Sequence, residues 1–429
     1  MSSSESHDTS RPSDGKRSKR ATKSSATTTA KSSRGKRRTA KRAARTSEPV
    51  EIASQARTSK RPAERLRYAV VGLGHIAQTA ILPAFAHAKS HAELAALITH
   101  DRTKLSALGR TYGVDALYDY SELRRCLREE SIDVIYIATP NSEHHELALE
   151  AAASGVHVLC EKPLAVTERE CIEMIRACER AGVLLMTAYR LHFEAANLKA
   201  LESIRSGAIG DPRIFSSVFS FQIADPDNIR LRRDLGGGPL HDIGIYCINA
   251  ARSIFRAEPI EVQAWALNSG DPRFREIDES ITATMRFPGD RIATFTCSYG
   301  VAATGWYQVV GTKGDICVDP AYEYSEGLET QVTIGSKSKT HRHPKRDQFA
   351  AELIYFSQCV LDGIEPEPSG WEGLADVRTI RALQQSIERG CALELPPIKH
   401  VRHPVPQQRI DRPPVPKAPN LINARPASE

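Results

Sequence analysis

Between residues 68 and 188, short apolar runs alternate with amphipathic stretches, and this alternation constrains the fold more than any other feature of the chain. One amphipathic stretch, 167–181, opens with Thr167 and has Glu170 three residues later, which is the pattern of a helix-starting capping box. Strands this apolar, separated by helices, predict an α/β fold whose parallel sheet is covered on both faces. The strand candidates are 68–73, 93–99, 134–139, 156–160 and 183–188.

The first apolar run is followed by Gly72-Leu73-Gly74-His75-Ile76-Ala77, and a helical pattern begins there. In a strand–turn–helix context the first glycine permits a tight turn and the second lets a pyrophosphate approach the backbone. The small Ala77 lets the helix pack closely on the strand, and the helix N-terminus favours an anion. The sequence therefore predicts a Rossmann domain that binds a dinucleotide through residues 72–76.

The end of the second strand selects between NAD and NADP, because NAD enzymes place an acid there for the ribose 2′-hydroxyl. This chain has Thr99 at that point, with Arg102 and Lys104 nearby. A hydroxyl and two cations suit a 2′-phosphate, so we predict NADP as the cofactor. Asp101 argues for NAD, which is the alternative, and a solvated first helical turn is the alternative role for the two cations.

After about Arg190 strands follow one another, separated by turn signals, and a Pro-rich segment begins near Pro396. This predicts a second, α+β domain with a large, mostly antiparallel open sheet. We divide the chain into a tail (1–65), a Rossmann domain (66–189), a substrate and oligomerisation domain (190–395) and a C-terminal tail (396–429). The strand candidates are 213–221, 260–267, 280–287, 291–298, 307–311 and 315–318, and the helix candidates are 195–206, 239–255, 348–362 and 371–389.

The net charge of +6 comes from the N-terminal tail, since residues 1–67 carry 19 Lys or Arg and 6 Asp or Glu. With few large apolar side chains this tail is predicted to be disordered. A solvated tail is favoured over nucleic-acid binding, because no aromatic side chains interleave with the Lys and Arg residues to stack on nucleotides.

Nine cysteines without a CxxC pair predict reduced thiols, no metal site and a cytoplasmic protein. No apolar run is long enough for a membrane helix.

Glu161-Lys162-Pro163 follows directly on a buried strand, at the end where ligands bind in parallel sheets. A lysine at this place can bond a substrate oxygen and favour ionisation of a neighbouring acid, and a cis Pro163 would fix the turn. The alternative is a surface lysine in a connecting loop.

Several motifs together are similar to the glucose–fructose oxidoreductase / inositol dehydrogenase / rhizopine-catabolism (Gfo/Idh/MocA) family, from about Arg67 to Arg389. The second domain resembles the glucose–fructose oxidoreductase branch in particular. One departure is Ile229, where that branch has tryptophan before the arginine. The motifs are residues 72–77, Thr139-Pro140-Asn141 with His144, Glu161-Lys162-Pro163, Ala188-Tyr189-Arg190, the run from Arg230 to Tyr246, and Glu258–Val262.

The resemblance implies roles for individual residues. Lys162 matches the catalytic lysine and Tyr246 matches the tyrosine that exchanges a proton with the sugar hydroxyl. Asp242, four residues before Tyr246, shares its helix face by spacing and is assigned to catalysis and substrate binding with it. The residues placed at the cofactor are Thr139, Pro140, Asn141, His144, Glu161, Lys162 and Arg190, and those placed at the substrate are Lys162, Arg230, Asp242 and Tyr246. For Arg190 and Arg230 the alternative is an ordinary surface arginine.

The function implied is that of an NADP-dependent sugar oxidoreductase, moving hydride between nicotinamide C4 and a carbon of a pyranose or polyol. The alternatives are an aldose 1-dehydrogenase of xylose type with exchangeable NADP, and a non-catalytic dinucleotide-binding scaffold. The resemblance also implies a homodimer or homotetramer that buries the open face of the second sheet.

Overall fold

Six strands in the first half of the chain form one parallel sheet in the computed structural model, which describes residues 65–396, 398, 401–415 and 420–426. These strands are β1 Leu66–Val71, β2 Ala92–Ile98, β3 Ala116–Tyr118, β4 Val134–Ile137, β5 His157–Glu161 and β6 Leu185–Ala188. They lie in the order β3-β2-β1-β4-β5-β6, so the direction of winding reverses between β1 and β4. A reversal of this kind opens a crevice at the carboxyl ends of the strands, where ligands bind in doubly wound sheets. The predicted Rossmann fold is confirmed.

Helices cover both faces of this sheet, and their ends follow the sequence signals. The capping box predicted at Thr167 and Glu170 is present, and the helix it starts ends at Gly182 in the left-handed conformation. The strands between the helices are almost wholly inaccessible, as shown by Val70, Val71 and Ile135 at 0% exposure. The helices are α1 Leu82–Ala84, preceded by a π-helical turn Ala77–Ile81, then α2 Arg102–Tyr112, α3 Leu123–Glu129, α4 His144–Ala153 and α5 Glu168–Ala181.

Nine strands form the second sheet, in the order β14-β13-β12-β11-β7-β10-β9-β8-β15. All its pairs are antiparallel except β7 with β10, so the predicted mostly antiparallel sheet is confirmed. The strands are β7 Pro212–Ser220, β8 Glu261–Leu267, β9 Ser280–Phe287, β10 Arg291–Ser298, β11 Thr304–Gly311, β12 Gly314–Val318, β13 Leu328–Ile334, β14 Lys337–His343 and β15 Leu393–Glu394. The accompanying helices are α6 Ala195–Arg205, α7 Ile245–Phe255, α8 Gln348–Asp362 and α9 Gly370–Arg389.

The hairpin of β13 and β14 was not predicted, and its composition explains why. β14 reads Lys-Ser-Lys-Thr-His-Arg-His and is largely exposed at the edge of the sheet, so it has no apolar alternation to indicate a strand. Charged edge strands resist pairing with other chains, which is a common reason for such a composition. The short β3, with two of its three residues half-buried, was missed for a related reason.

The two predicted tails differ in what the structure describes. Residues 1–64 lie outside the described part, so the predictions of disorder and nucleic-acid contact for that tail are not tested. The described C-terminal residues pack on the body, since the buried Gln408 amide donates to the Glu367 carbonyl oxygen at 2.7 Å. Within the described residues, no helix combines the length and apolar character that crossing a bilayer requires.

Candidate active site

The turn after β1 contains two glycines, one packed against the protein backbone and the other facing open space. Gly72 has φ +92°, and a β-carbon there would lie 2.5 Å from the Ala138 carbonyl oxygen, so the turn is pressed against the end of β4. A β-carbon on Gly74 would meet no described atom within 4 Å apart from its chain neighbours. The turn is therefore closed on the protein side and open on the crevice side, as a pyrophosphate requires.

The two apolar residues of this turn, Leu73 and Ile76, direct their side chains into the protein. Leu73 is 1% exposed and its carbonyl oxygen accepts from the Gln78 side-chain amide at 2.9 Å, while Ile76 packs on the domain core. The His75 carbonyl oxygen accepts from the Thr79 hydroxyl at 2.8 Å. Leu73 and Ile76 therefore have only backbone groups to offer a dinucleotide, as the predicted motif implies.

Asp101, the acid that argued for NAD, is fully engaged within the protein. Its Oδ1 caps α2 by accepting from the Lys104 N–H at 3.0 Å, and its Oδ2 accepts from the Asn423 amide at 3.0 Å. These bonds, led by that from Asn423, lower the pKa of Asp101. Of the residues predicted at the ribose, Thr99 is 4% exposed, Arg102 is exposed, and the Lys104 ammonium lies 4.0 Å from Asp101.

Lys162 crosses from the first domain to the second. It follows β5, and its bond to Pro163 is cis. Its Nζ donates to the Asp242 carbonyl oxygen at 2.8 Å and lies 3.2 Å from Asp242 Oδ1. The same Nζ lies 4.8 Å from the centre of the Tyr246 ring. The three predicted catalytic residues therefore meet at one point, although they come from opposite sides of the crevice.

Asp242 is the centre of a charged network. Beside Lys162, its Oδ2 accepts from Arg230 Nε at 2.7 Å and from the Tyr299 hydroxyl at 3.0 Å. Burial opposes ionisation of Asp242, but Arg230 and Lys162 outweigh it and hold its pKa well below the usual range. Burial alone would also lower the pKa of Lys162, yet Tyr246, Asp242 and Glu161 raise it above its ordinary value. Lys162 and Asp242 are thus both charged over the neutral pH range.

Tyr246 is half-buried with cations beside its ring. The Arg190 guanidinium carbon lies 5.1 Å from the ring centre, in addition to the Lys162 ammonium. Arg190 is itself buried and donates to Gln348 Oε1 and to the Tyr322 carbonyl oxygen. The structure therefore places Arg190, predicted as a cofactor contact, behind the tyrosine as a support.

The loop after β4 connects the two sides of the crevice. The Asn141 side-chain amide donates to the Gly236 carbonyl oxygen at 2.8 Å, which joins this loop to the one that carries Arg230. Thr139 Oγ1 is buried and has no hydrogen-bond partner among the described residues. Pro140 lies between them and is half-buried.

His144, predicted at the nicotinamide ribose, requires a correction. It is 0% exposed, with Nδ1 2.9 Å from the Pro163 carbonyl oxygen and Nε2 3.2 Å from that of Thr139. Burial lowers its pKa, so the ring is neutral and can donate to only one of these carbonyls. The imidazole therefore fixes the two loops against each other and has no exposed face to offer a cofactor.

Beneath Lys162 lies a pair of carboxyl groups that the sequence did not indicate as a unit. The Tyr136 hydroxyl donates to Glu161 Oε1 at 3.0 Å and lies 3.4 Å from Glu352 Oε2. Burial raises the pKa of both carboxyls. Glu352 is contributed by α8, and Tyr299 follows β10, so no local pattern links either residue to this crevice. Glu161, predicted as a cofactor residue, is bound chiefly by Tyr136 and by the Lys162 N–H at 3.3 Å.

Comparison with known proteins agrees with this geometry. Residues 66–189 match the model of an oxidoreductase family with an NAD-binding Rossmann fold, and residues 197–317 match the GFO/IDH/MocA C-terminal domain. A D-xylose 1-dehydrogenase (NADP(+)) from Haloferax volcanii is 30% identical over 77% of this chain and 100% of its own length. The crystal structure of an aldose–aldose oxidoreductase from Caulobacter crescentus, complexed with glycerol, superposes with a TM-score of 0.74.

The Caulobacter protein is 38% identical, and the match covers 77% of this chain and 100% of that one. A trans-1,2-dihydrobenzene-1,2-diol dehydrogenase from Danio rerio is 30% identical over 60% of this chain and 75% of its own. Family models thus match residues 66–189 and 197–317, and the relatives match across both stretches. The chain belongs to the Gfo/Idh/MocA family of oxidoreductases, and the resemblance predicted from its motifs is confirmed.

Proposed function

We propose that this chain is an NADP-dependent sugar oxidoreductase. The observation that carries the proposal is the convergence of Lys162, Asp242 and Tyr246 beside the crevice that holds the dinucleotide fingerprint. Relatives named for aldose substrates, the Haloferax xylose dehydrogenase and the Caulobacter aldose–aldose oxidoreductase, support a sugar as the substrate.

Residues 72–76 and 139–141 would hold NADP, which would supply the hydride acceptor, nicotinamide C4, for oxidation of a sugar. Lys162, kept charged by Asp242, donates a hydrogen bond to the sugar oxygen and orients it. Tyr246 relays the hydroxyl proton, and the Lys162 ammonium and the Arg190 guanidinium lie beside its ring. Asp242 and Arg230 hold Lys162 in place and line the sugar site.

The choice of NADP is supported by the engagement of Asp101 in the cap of α2 and with Asn423. An acid used in this way is not available to the 2′-hydroxyl of NAD, while Thr99, Arg102 and Lys104 would hold a 2′-phosphate. NAD is the alternative cofactor.

An aldose 1-dehydrogenase that releases NADPH in each turnover is the second candidate, and the name of the Haloferax relative favours it. Purification separates the candidates. Nucleotide that stays bound in stoichiometric amount through gel filtration supports sugar-to-sugar exchange, and protein free of nucleotide supports release.

The outer face of the second sheet supports a homodimer or homotetramer. Ile214, Ile292 and Val310 are 44%, 37% and 37% exposed and lie in register on β7, β10 and β11, and Trp265 on β8 is 51% exposed. An exposed apolar row of this kind marks an interaction surface.

The cysteines of the described residues are free thiols, most of them buried, which supports our placement of the enzyme in the cytoplasm.

The test is a panel of aldoses and polyols assayed with NADP and with NAD. We expect reduction of NADP with at least one aldose. Lys162→Met should lower kcat by about 10²- to 10⁴-fold with NADPH still bound. Lys199→Met, which removes an exposed lysine of α6, is the matched control and should retain activity. Binding of NADPH without turnover of any sugar would favour the scaffold alternative, and full activity of Lys162→Met would refute the mechanism.

A further inference from the structure

The described C-terminal residues 420–426 are bound to the fingerprint turn through Gln78. The Ile422 N–H donates to Gln78 Oε1 at 2.8 Å, and the Ile422 carbonyl oxygen accepts from Gln78 Nε2 at 2.9 Å. Gln78 is 2% exposed, and its Nε2 also donates to the Leu73 carbonyl oxygen. A buried amide with both of its polar atoms committed to one distant backbone residue is a specific attachment, because such an amide is costly to leave unpaired.

The next residue reaches the adenosine end of the cofactor site. Asn423 Nδ2 donates to Asp101 Oδ2, two residues beyond Thr99. Asn423 has φ 46°, in the left-handed region that asparagine tolerates better than most residues, so the chain bends sharply here. Ile422 meanwhile packs on the apolar core of the first domain.

The segment then reaches the second domain. Arg425 Nη1 lies 3.3 Å from Asp225 Oδ2, and Asp225 belongs to the loop between β7 and α7 that also carries Arg230. Residues 420–426 therefore touch the pyrophosphate turn, the ribose position and the substrate loop in succession. These contacts join residues 344, 322 and 200 positions apart in the chain.

We propose that residues 420–426 form a strap across the crevice that encloses the adenosine half of bound NADP and slows its release. The anchors lie on both sides of the place where a dinucleotide lies in this fold, so a cofactor that leaves must displace the strap or its contacts. Arg425 is 77% exposed and its ion pair is individually weak, so the Asp225 end opens first and Gln78 remains the hinge. The inference rests on cofactor binding and not on the identity of the sugar.

The test follows NADPH release from the full chain by stopped-flow fluorescence, after mixing with excess NADP and without sugar. A chain ended at Val415 should release NADPH about tenfold faster or more, and Asn423→Ala about threefold faster. Arg425→Ala and Asp225→Asn should have equal, smaller effects, since each removes the same ion pair. Arg409→Ala removes a C-terminal ion pair with Asp411 outside the strap and should leave release unchanged.

Melting temperatures measured without cofactor identify variants that fail to fold. If the shortened chain fails to fold, the point variants alone test the proposal. Unchanged release from well-folded Asn423→Ala and Arg425→Ala overturns the proposal. Slower release or tighter binding after shortening also overturns it, because the strap would then block the cofactor. A protein that oxidises no sugar but shows faster release would refute only the proposed function and keep the strap.

Discussion

The two sides of the crevice are built by different means. On the first side the site is a backbone turn shaped by Gly72 and Gly74, above strands whose interior is apolar. On the second side it is a network of charged side chains around Asp242, and behind it Arg252 is buried with Glu372 and Asp376 at 3.1 and 2.5 Å. A backbone turn is specified by neighbouring residues, whereas a buried charge network is specified by contacts far apart in the chain.

The largest effect should come from the charged side. Tyr246→Phe removes the hydroxyl proposed to take the sugar proton, so we expect kcat to fall by about 10²- to 10⁴-fold, equivalent to about 3–5 kcal/mol. The affinity for NADPH should stay within about twofold, because the turn on the other side is untouched. The control is Tyr112→Phe at the end of α2, outside the crevice. Steady-state kinetics and NADPH titration measure both, and equal activity of the two variants would remove Tyr246 from the mechanism.

On the backbone side, the two glycines should respond differently to the same change. Gly72→Ala meets the Ala138 carbonyl oxygen at positive φ, so the free energy of unfolding should fall by about 3 kcal/mol. Gly74→Ala points into open space, so stability should change by less than about 0.5 kcal/mol while NADPH affinity falls at least about tenfold. Denaturant unfolding and NADPH titration distinguish the outcomes. Equal stability losses would show that the turn is not open at Gly74.

The free energy of unfolding should depend on pH through a buried ion pair in the polar interior of the second side. Burial opposes the charge on His192, but Glu367, 3.0 Å away, raises its pKa to about 9. A raised pKa stabilises the folded state fully below the unfolded value of about 6.5, and this contribution is lost as the pH rises to about 9. The stability of the wild type should therefore fall by about 3 kcal/mol over this range, and His192→Gln and Glu367→Gln should not show this loss. Parallel unfolding profiles for all three proteins would contradict the assignment.

The smallest expected effect is that of a positioning residue. Tyr299→Phe removes one donor to Asp242, so we expect kcat/KM to fall about fivefold, or about 1 kcal/mol. The acid limb of the kcat/KM profile should move to higher pH, because a carboxylate with one hydrogen bond fewer is protonated more easily. Tyr307→Phe, whose hydroxyl donates to Asn197 in the core, is the control and should not move this limb.

The same contrast explains what could be predicted from the sequence. The Rossmann sheet, the capping box of α5 and the fingerprint turn are local patterns, and each is present as predicted. The meeting of Lys162 with Asp242 and Tyr246, 80 and more residues away, was reached through family resemblance and not through local chemistry. Their catalytic roles remain predictions.

The remaining features depend on contacts that no local pattern indicates. Glu352 reaches Tyr136 across 216 residues, and Asn423 reaches Asp101 across 322, so neither could be placed without the fold. His144 was placed at the cofactor by family resemblance. Its motif does not encode the direction of the side chain, which lies in the interior. The β13–β14 hairpin was missed because its edge strand is polar.

The bond of Lys162 to Asp242 spans the border between the two domains, and this limits how they can be recombined. Consider a chimera that joins this nucleotide domain to the sheet of another family member. Lys162 keeps its hydrogen-bond partners in it only if the incoming domain supplies an equivalent carboxylate and carbonyl at the same place. Selection for new sugars by domain exchange should therefore keep residues 230–246 with the parent that contributes Lys162, and draw its diversity from the surrounding loops.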